Sequence, residues 1–256
     1  NRAYAKVNGL RKGVVHINMP FRKPLEPTPV EDDVVEIPEE AQARPDGKPY
    51  TEFYRGNPGI TQDSVRIVEI IRDHPDGLVI AGVNARQSYP FAPRQIKNFA
   101  ELYGYPFFAD VLSGVRFMSD NVVGGYDTFV KYKDLPKPDV IIRFGNVPLS
   151  KWLNQYISEI NPKHYIHFST SGEWSDDDHA VTDVVVPHFD TIFMEGLERE
   201  SSLKTQFSTL ETTTWRTIDQ EIENGEYFDG GVVYDIVELI PPESTIGASL
   251  TRSSGN

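Results

Sequence analysis

A strand, a turn and a helix start follow one another in residues 140–151, VIIRFGNVPLSK. The first five residues are apolar except for Arg143, as expected of a short strand that is buried on both faces. Gly145 allows a turn, and Ser150 opens a helical pattern. Such a unit is typical of open parallel α/β sheets, in which ligands collect at the carboxyl ends of the strands.

The same alternation continues on both sides of this stretch. Strands are expected at residues 78–82, 107–109, 140–144, 165–168 and 184–186. Helices are expected at residues 61–73, 92–103, 126–132, 150–160, 190–197, 203–223 and 232–239. Short apolar strands separated by helices favour a parallel sheet covered on both faces. The sequence therefore predicts an α/β fold with a doubly wound, mostly parallel sheet, Rossmann-like but without a dinucleotide fingerprint.

The two ends of the chain have the character of neighbouring domains. Residues 27–60 are rich in proline, glycine and acidic side chains and lack periodicity, which is typical of an interdomain connection. We therefore predict five regions: the end of a preceding domain at 1–26, a linker at 27–60, the central domain at 61–200, a helical connection at 201–242, and a truncated start of a following domain at 243–256.

Composition excludes several classes of function. A formal net charge of -13 argues against nucleic-acid binding, which needs clustered lysine and arginine. No apolar run approaches the ~20 residues of a membrane span, and residues 1–3 do not lead us to expect a signal peptide. With no cysteine there is no disulfide or thiolate site. We expect a soluble, cytoplasmic protein.

Common catalytic and nucleotide-binding motifs are missing. The strand that ends at Gly82 is followed by Val-Asn-Ala-Arg rather than G-x-G-x-x-G. Neither a phosphate-binding G-x-x-x-x-G-K-[ST] loop nor the G-x-S-x-G elbow of serine hydrolases occurs. These absences disfavour a dinucleotide site, phosphoryl transfer and serine hydrolase chemistry.

An acidic loop is the one candidate for a metal site. It contains Glu173, three aspartates at 176–178 and His179, and such side chains can ligate cations. A solvated loop is the favoured interpretation. His164 and His167 lie three residues apart on one strand and are expected to face opposite sides, which disfavours a shared metal. We expect one core and one surface histidine.

The most promising local site is the end of the 140–144 strand. Lys151, in the first turn of the following helix, is suited to a carboxylate, because helix N-termini also favour anions. The competing interpretation is that Arg143 makes a local ion pair and that Lys151 is an ordinary surface lysine.

Several motifs resemble those of the MenD family of thiamine-diphosphate enzymes. VHINMPFRKPL resembles the end of that family's pyrimidine-binding domain, and FADVLSGVR resembles its A-D-P-L-S-G-L-R stretch. Further landmarks follow in the same order along the chain. The motifs are found at residues 15–25, 108–116, 126–129, 140–151 and, more loosely, 174–180.

The resemblance implies a function for the complete enzyme. It would join 2-oxoglutarate to isochorismate with loss of carbon dioxide, using thiamine diphosphate and a divalent cation such as Mg²⁺, and would act as a homodimer or homotetramer. In the family, the cofactor-activating glutamate lies upstream of the part matched by Asn1, and the G-D-G…N motif lies downstream of Asn256. This fragment alone is therefore expected to be inactive.

The resemblance also points to substrate-binding residues. Lys151 matches a basic position that reaches the isochorismate side of the family's active site. Ser249 matches the serine of G-N-S-x-x-[VI]-R, although Ala248 replaces the asparagine and Arg252 lies one residue too early. Arg116 and Arg143 match family arginines, for which a structural role is equally open.

Two other interpretations stay open. The domain could be a regulatory module that receives a pathway aromatic acid in a basic interdomain pocket, in which case Arg116, Arg143 and Lys151 should converge around an anion. Alternatively, it could come from another thiamine enzyme, such as an oxo-acid decarboxylase or acetolactate synthase. That enzyme would require different landmarks.

Overall fold

A computed structural model describes residues 2–7, 13–18, 44–54, 62–87, 93–118, 121–132, 135–169, 174–186, 199, 201–226 and 228–244. The helices are α1 (Arg2–Val7), α2 (Gln62–Asp73), α3 (Pro93–Leu102), α4 (Lys151–Ile160), α5 (Ser202–Asn224) and α6 (Asp229–Leu239). The strands are β1 (Glu52–Tyr54), β2 (Gly77–Ala81), β3 (Phe107–Ala109), β4 (Val122–Val123), β5 (Val140–Phe144), β6 (His164–Phe168) and β7 (Asp183–Val185).

The strands form one parallel sheet in the order β1-β7-β6-β5-β2-β3-β4. Every pair of these strands is parallel, with Val79 of β2 in register with Ile142 of β5 and Phe107 of β3. From β2 the chain proceeds to β3 and β4 on one side, and then returns to β5 on the other. The predicted fold class is confirmed, and the topological switch point lies between β2 and β5.

Two apolar layers cover the sheet. On one face, Ile71 of α2 and Phe99 of α3 belong to a cluster with Val79 and Ile142. On the other face, α4 and the start of α5 cover the alternate strand residues, including Ile80, Ile141 and Tyr165. All residues of β2 and β5 are buried. This two-sided burial explains why these strands read as continuous apolar runs rather than alternating ones.

Most predicted elements agree with the structure to within a residue or two. The helix predicted at 126–132 is the main exception, since a 3-10 helix occupies Gly125–Thr128 and is followed by turns. Tyr126, Phe129 and Val130 have helical spacing, and all three are buried. A single turn is enough to bury them, so the spacing alone could not distinguish one turn from a longer helix.

The predicted linker at 27–60 contains a strand of the sheet. β1 pairs with β7, placing Phe53 opposite Val184, and the Thr51 hydroxyl donates to the Val181 carbonyl at 2.8 Å. Three residues at the edge of a sheet give no apolar periodicity, so nothing in the sequence predicted this strand. The linker interpretation is therefore wrong for Glu52–Tyr54.

The chain divides into two compact units, Asn1–Glu211 and Thr212–Asn256. α5 begins in the first unit and ends in the second, and α6 lies in the second unit, where it exposes Val233, Val237 and Leu239. The helix predicted at 190–197 and residues 245–256 lie outside the described residues. In the described part of the chain, no helix has both the length and the apolar character that crossing a bilayer requires.

Candidate functional site

The switch point brings together the segments that follow β2 and β5. The Gly82 amide donates to the Phe144 carbonyl at 2.8 Å, and the Asn146 amide donates to the Val83 carbonyl at 2.8 Å. A Cβ at Gly82 would lie 1.8 Å from the backbone carbonyl oxygen of Asn146, so only glycine fits there. Gly145 has φ of +78°, the left-handed conformation that glycine adopts without strain. The predicted glycine turn is confirmed.

The segment after β3 joins the same assembly. The Asp110 carboxylate accepts hydrogen bonds from the Leu112 and Leu149 amides, each at 2.8 Å. The Asn84 amide also donates to the Leu112 carbonyl at 3.0 Å. We call residues 82–86, 110–113 and 145–150 the switch-point platform. Backbone hydrogen bonds join residues 82–86 to each of the other two segments, and the Asp110 carboxylate joins those two segments to each other. These bonds hold the carboxyl edge of the sheet in one arrangement.

Lys151 begins α4 at the end of this platform. Ser150 is the N-cap of α4, and its hydroxyl accepts from the Leu153 amide at 3.0 Å. The same hydroxyl donates to the Asp127 carboxylate. The Lys151 side chain is exposed, and its Nζ atom lies 5.7 Å from the centroid of the Trp152 ring. The structure therefore presents the ammonium group at the sheet edge, beside a helix N-terminus.

Arg143 has a different environment from Lys151. It is 1% exposed, its guanidinium donates to the Ser175 carbonyl, and it lies 5.3 Å from the centroid of the Tyr165 ring. These contacts connect β5 to the segment that follows β6. A substrate-binding role for Arg143 stays a prediction, whereas the geometry shows a side chain that holds a neighbouring loop.

Of the remaining predicted site residues, Arg116 belongs to the described part of the chain. Arg116 is partly buried, and its Nη1 atom donates to the Ala109 carbonyl at 3.3 Å. Ser249 and Arg252 lie outside the described residues. Both Arg116 and Arg143 are thus bonded to backbone carbonyls, while Lys151 is exposed at the edge.

The acidic loop is organised around one buried carboxylate. Asp176 is 3% exposed and accepts from Trp174 Nε1 at 3.2 Å and from the Ala180 and Val181 amides at 3.0 and 3.3 Å. Its neighbours at 177–179 are exposed. The interpretation as a solvated loop is therefore wrong for Asp176. Within the described ranges, no three side chains of the metal-ligating types are grouped to hold a cation.

The two histidines of β6 have unlike surroundings, as predicted. The His164 side chain is 27% exposed, and its Nδ1 atom lies 3.7 Å from the Asp183 carboxylate. His167 is 2% exposed and lies opposite Arg143 in the sheet register. Burial and the positive charge of Arg143 hold the pKa of His167 well below its usual value. His167 is therefore neutral in the folded protein at pH 7.

Three contributors to this region were missed by sequence reasoning. Asp110 stood within a recognised motif, but its carboxylate also accepts from the Leu149 amide, which is far away in the sequence. Ser175 contacts both the Arg143 guanidinium and the Val147 amide. Arg2 donates to the Trp174 and Asp176 carbonyls at 2.6 and 3.1 Å. None of these contacts has a local sequence signal, because each joins distant segments.

Comparisons with known proteins place the chain in a family. A family model described as the middle domain of thiamine pyrophosphate matches residues 47–246. The 2-succinyl-5-enolpyruvyl-6-hydroxy-3-cyclohexene-1-carboxylate synthase of Roseiflexus castenholzii is 40% identical over 97% of this chain and 43% of its own length. The protein of the same name from Roseiflexus sp. is 38% identical over 94% of this chain and 42% of its own length.

A more distant relative has the same name. The synthase of Bacillus cytotoxicus is 30% identical over 97% of this chain and 43% of its own length. The chain thus spans less than half the length of the curated relatives it matches. The resemblance of its motifs to the MenD family is confirmed by these relatives, and the chain belongs to the family of middle domains of thiamine pyrophosphate enzymes.

Proposed function

We propose that this chain is the middle domain of a complete thiamine-diphosphate transferase, a 2-succinyl-5-enolpyruvyl-6-hydroxy-3-cyclohexene-1-carboxylate synthase of menaquinone biosynthesis. That enzyme joins 2-oxoglutarate to isochorismate with loss of carbon dioxide. The observation that carries the proposal is identity of 30–40% with synthases of this name across nearly the whole chain. A cytoplasmic location and a homodimeric or homotetrameric assembly stay predictions.

In this enzyme the chain would bind substrate through the end of the switch-point platform. The Lys151 ammonium group and the N-terminus of α4 are both favourable to a carboxylate, and isochorismate carries two. Ser249 and Arg252 would add contacts to substrate, as their match to the family motif implies. Arg116 and Arg143 would support the loops around the site. The chain therefore orients one substrate and does not itself supply the reactive group.

The cofactor would be bound by parts of the enzyme outside this chain. Thiamine diphosphate, when bound, supplies the electron sink that a decarboxylating carboligation requires. A magnesium ion would neutralise its diphosphate. The described residues of this chain offer no group of ligands for that ion. Titration calorimetry of the chain alone with thiamine diphosphate and Mg²⁺ should show no binding, and tight binding would place the cofactor site in this chain.

The decisive experiment compares two lysine variants of the complete enzyme. Lys151→Ala is expected to lower kcat/KM for isochorismate by about 10- to 100-fold, since a charged hydrogen bond contributes roughly 1.5–3 kcal/mol. The value of kcat/KM for 2-oxoglutarate should change little. Lys163→Ala is the matched control, because Lys163 lies just before β6 at the amino edge of the sheet and pairs with Asp139 at 3.2 Å.

The opposite result would exclude this role. If Lys151→Ala impairs both substrates equally, or if Lys163→Ala is equally damaging, the carboxyl edge does not bind isochorismate. The alternative of a regulatory module for a pathway aromatic acid is less well supported. It requires Arg143 to face an anion together with Lys151, yet Arg143 is buried against Ser175 and Tyr165.

A further inference from the structure

A long, exposed lysine orients a substrate well only if its backbone is held in place. The two residues immediately before Lys151 are each held by a carboxylate from a different segment. The Leu149 amide donates to Asp110 Oδ2 at 2.8 Å, and the Ser150 hydroxyl donates to Asp127 Oδ1. The start of α4 is therefore attached at two consecutive residues to the part of the fold that follows β3.

Both oxygens of the Asp110 carboxylate accept hydrogen bonds from backbone amides. It is 1% exposed, and its other oxygen, Oδ1, accepts from the Leu112 amide at 2.8 Å. A buried carboxylate that accepts two backbone N–H groups has little freedom to reorient. Because one of these groups follows β3 and the other follows β5, Asp110 sets the separation of two loops at the switch point.

Asp127 lies on a segment that is itself held in place. The Glu211 carboxylate of α5 accepts from the Gly124 amide at 2.8 Å and from the Gly125 amide at 2.9 Å, at the start of the 3-10 helix that carries Asp127. The Tyr126 ring stacks on Phe108 of β3 with centroids 5.3 Å apart. Contacts from both α5 and the sheet therefore determine where the Asp127 carboxylate meets Ser150.

We propose that Asp110 and Asp127 are positioning residues for Lys151. They hold Leu149 and Ser150, and thereby set the place and direction from which the Lys151 side chain extends toward isochorismate. Both carboxylates act on Lys151 indirectly, because they accept hydrogen bonds from the Leu149 amide and the Ser150 hydroxyl. The inference rests on the proposed function in one respect only, which is that Lys151 binds substrate.

The first test uses an exposed position, where folding is not at risk. In the complete enzyme, Asp127→Ala is expected to raise KM for isochorismate about tenfold, with kcat and KM for 2-oxoglutarate little changed; a tenfold change corresponds to about 1.4 kcal/mol. Asp127→Asn retains an Oδ1 acceptor for the Ser150 hydroxyl and should restore the wild-type KM. Equal defects in the two variants would overturn the proposal.

The second test concerns the buried carboxylate. Asp110→Asn places an amide NH₂ group against one of two backbone donors and should raise KM for isochorismate and speed hydrogen exchange at the Leu149 amide. Asp139→Asn is the matched control, since Asp139 lies at the amino edge of the sheet and pairs with Lys163. Unchanged exchange at Leu149 would overturn the role of Asp110. If Asp110→Asn does not fold, the two Asp127 variants decide the proposal.

A double-mutant cycle separates this inference from the proposed function. If Asp127 acts through Lys151, Asp127→Ala should have no further effect on KM for isochorismate in a Lys151→Ala background. An effect that persists in this background would overturn the positioning role while leaving the proposed function intact. If Lys151→Ala alone leaves isochorismate kinetics unchanged, the proposed function itself fails.

Discussion

The loops that follow β5 and β6 leave the same edge of the sheet from neighbouring strands, yet they use their charged residues in opposite ways. After β5, the backbone is bonded into the switch-point platform and the Lys151 side chain is exposed. After β6, the charge of Asp176 is used internally, by an indole and two amides. A charged group that serves the loop's own donors is not available to a ligand, so the β5 loop is the better candidate to bind substrate.

The loop that follows β6 holds the loop that follows β5 in place. The Ser175 hydroxyl accepts from the Val147 amide at 3.1 Å, and the Ser175 carbonyl accepts from Arg143. Arg2 donates to the carbonyls on either side of Ser175. Three consecutive carbonyls thus receive guanidinium donors from two distant arginines. Substitutions in the β6 loop should therefore mainly lower the free energy of unfolding. Substitutions in the β5 loop should mainly weaken substrate binding.

The largest effect on stability is expected from Asp176→Ala. It removes the acceptor of three largely buried donors, and each unsatisfied donor costs roughly 1–3 kcal/mol, so we expect the free energy of unfolding to fall by at least about 3 kcal/mol. Urea unfolding of the chain measures this change. Asp178→Ala, at an exposed position two residues away, should stay within about 0.5 kcal/mol of wild type.

An effect of pH on stability is expected from His167, in the strand that precedes this loop. Its pKa is lower in the folded protein than in the unfolded chain. The contribution of neutral His167 to the free energy of unfolding is therefore fully present above the unfolded-state pKa near 6.5, and it is lost as the pH falls toward the folded-state pKa. Below about pH 6 the loss should approach roughly 1.4 kcal/mol per pH unit. Urea unfolding from pH 7.5 to 5 tests this, and His167→Gln should flatten the profile. An equally steep profile in the variant would assign the acid sensitivity to other groups.

A smaller effect is expected where the two loops meet. Ser175→Ala removes the acceptor of the Val147 amide but retains the carbonyl that Arg143 contacts, so the free energy of unfolding should fall by about 1 kcal/mol. Hydrogen exchange at Val147 should increase in the variant. Protection that is unchanged there would show that the loops are held together by other contacts.

The smallest effect on stability is expected from Lys151→Ala. The side chain is exposed and its Nζ atom lies near the neighbouring Trp152 ring, so the free energy of unfolding should change by less than about 0.5 kcal/mol. Thermal or urea unfolding beside wild type provides the measurement. A large loss of stability would remove the contrast between the two loops, because Lys151 would then be a structural residue as well.

The parts of the site that were predictable are those with a local cause. Glycine at 145 predicts a turn because glycine adopts a positive φ without strain, as it does here. Serine at 150 predicts a helix start because its hydroxyl can cap the first turn, as it does for the Leu153 amide. Both signals lie within a few residues of the feature they determine. The support of Lys151 by Asp110 could not be predicted in this way, since the bond joins the ends of two strands that become neighbours only in the folded sheet.

The sequence by itself determined the class of fold and the family. Short apolar strands that alternate with helices must be covered on both faces, and the ordered motifs were sufficient to identify the resemblance. The tertiary structure decided which charged residues are available. Arg143 and Lys151 lie in one short stretch, but one is enclosed by Tyr165 and Ser175 while the other is exposed. Burial and hydrogen bonding depend on which distant segments pack together, and no local pattern carries that information.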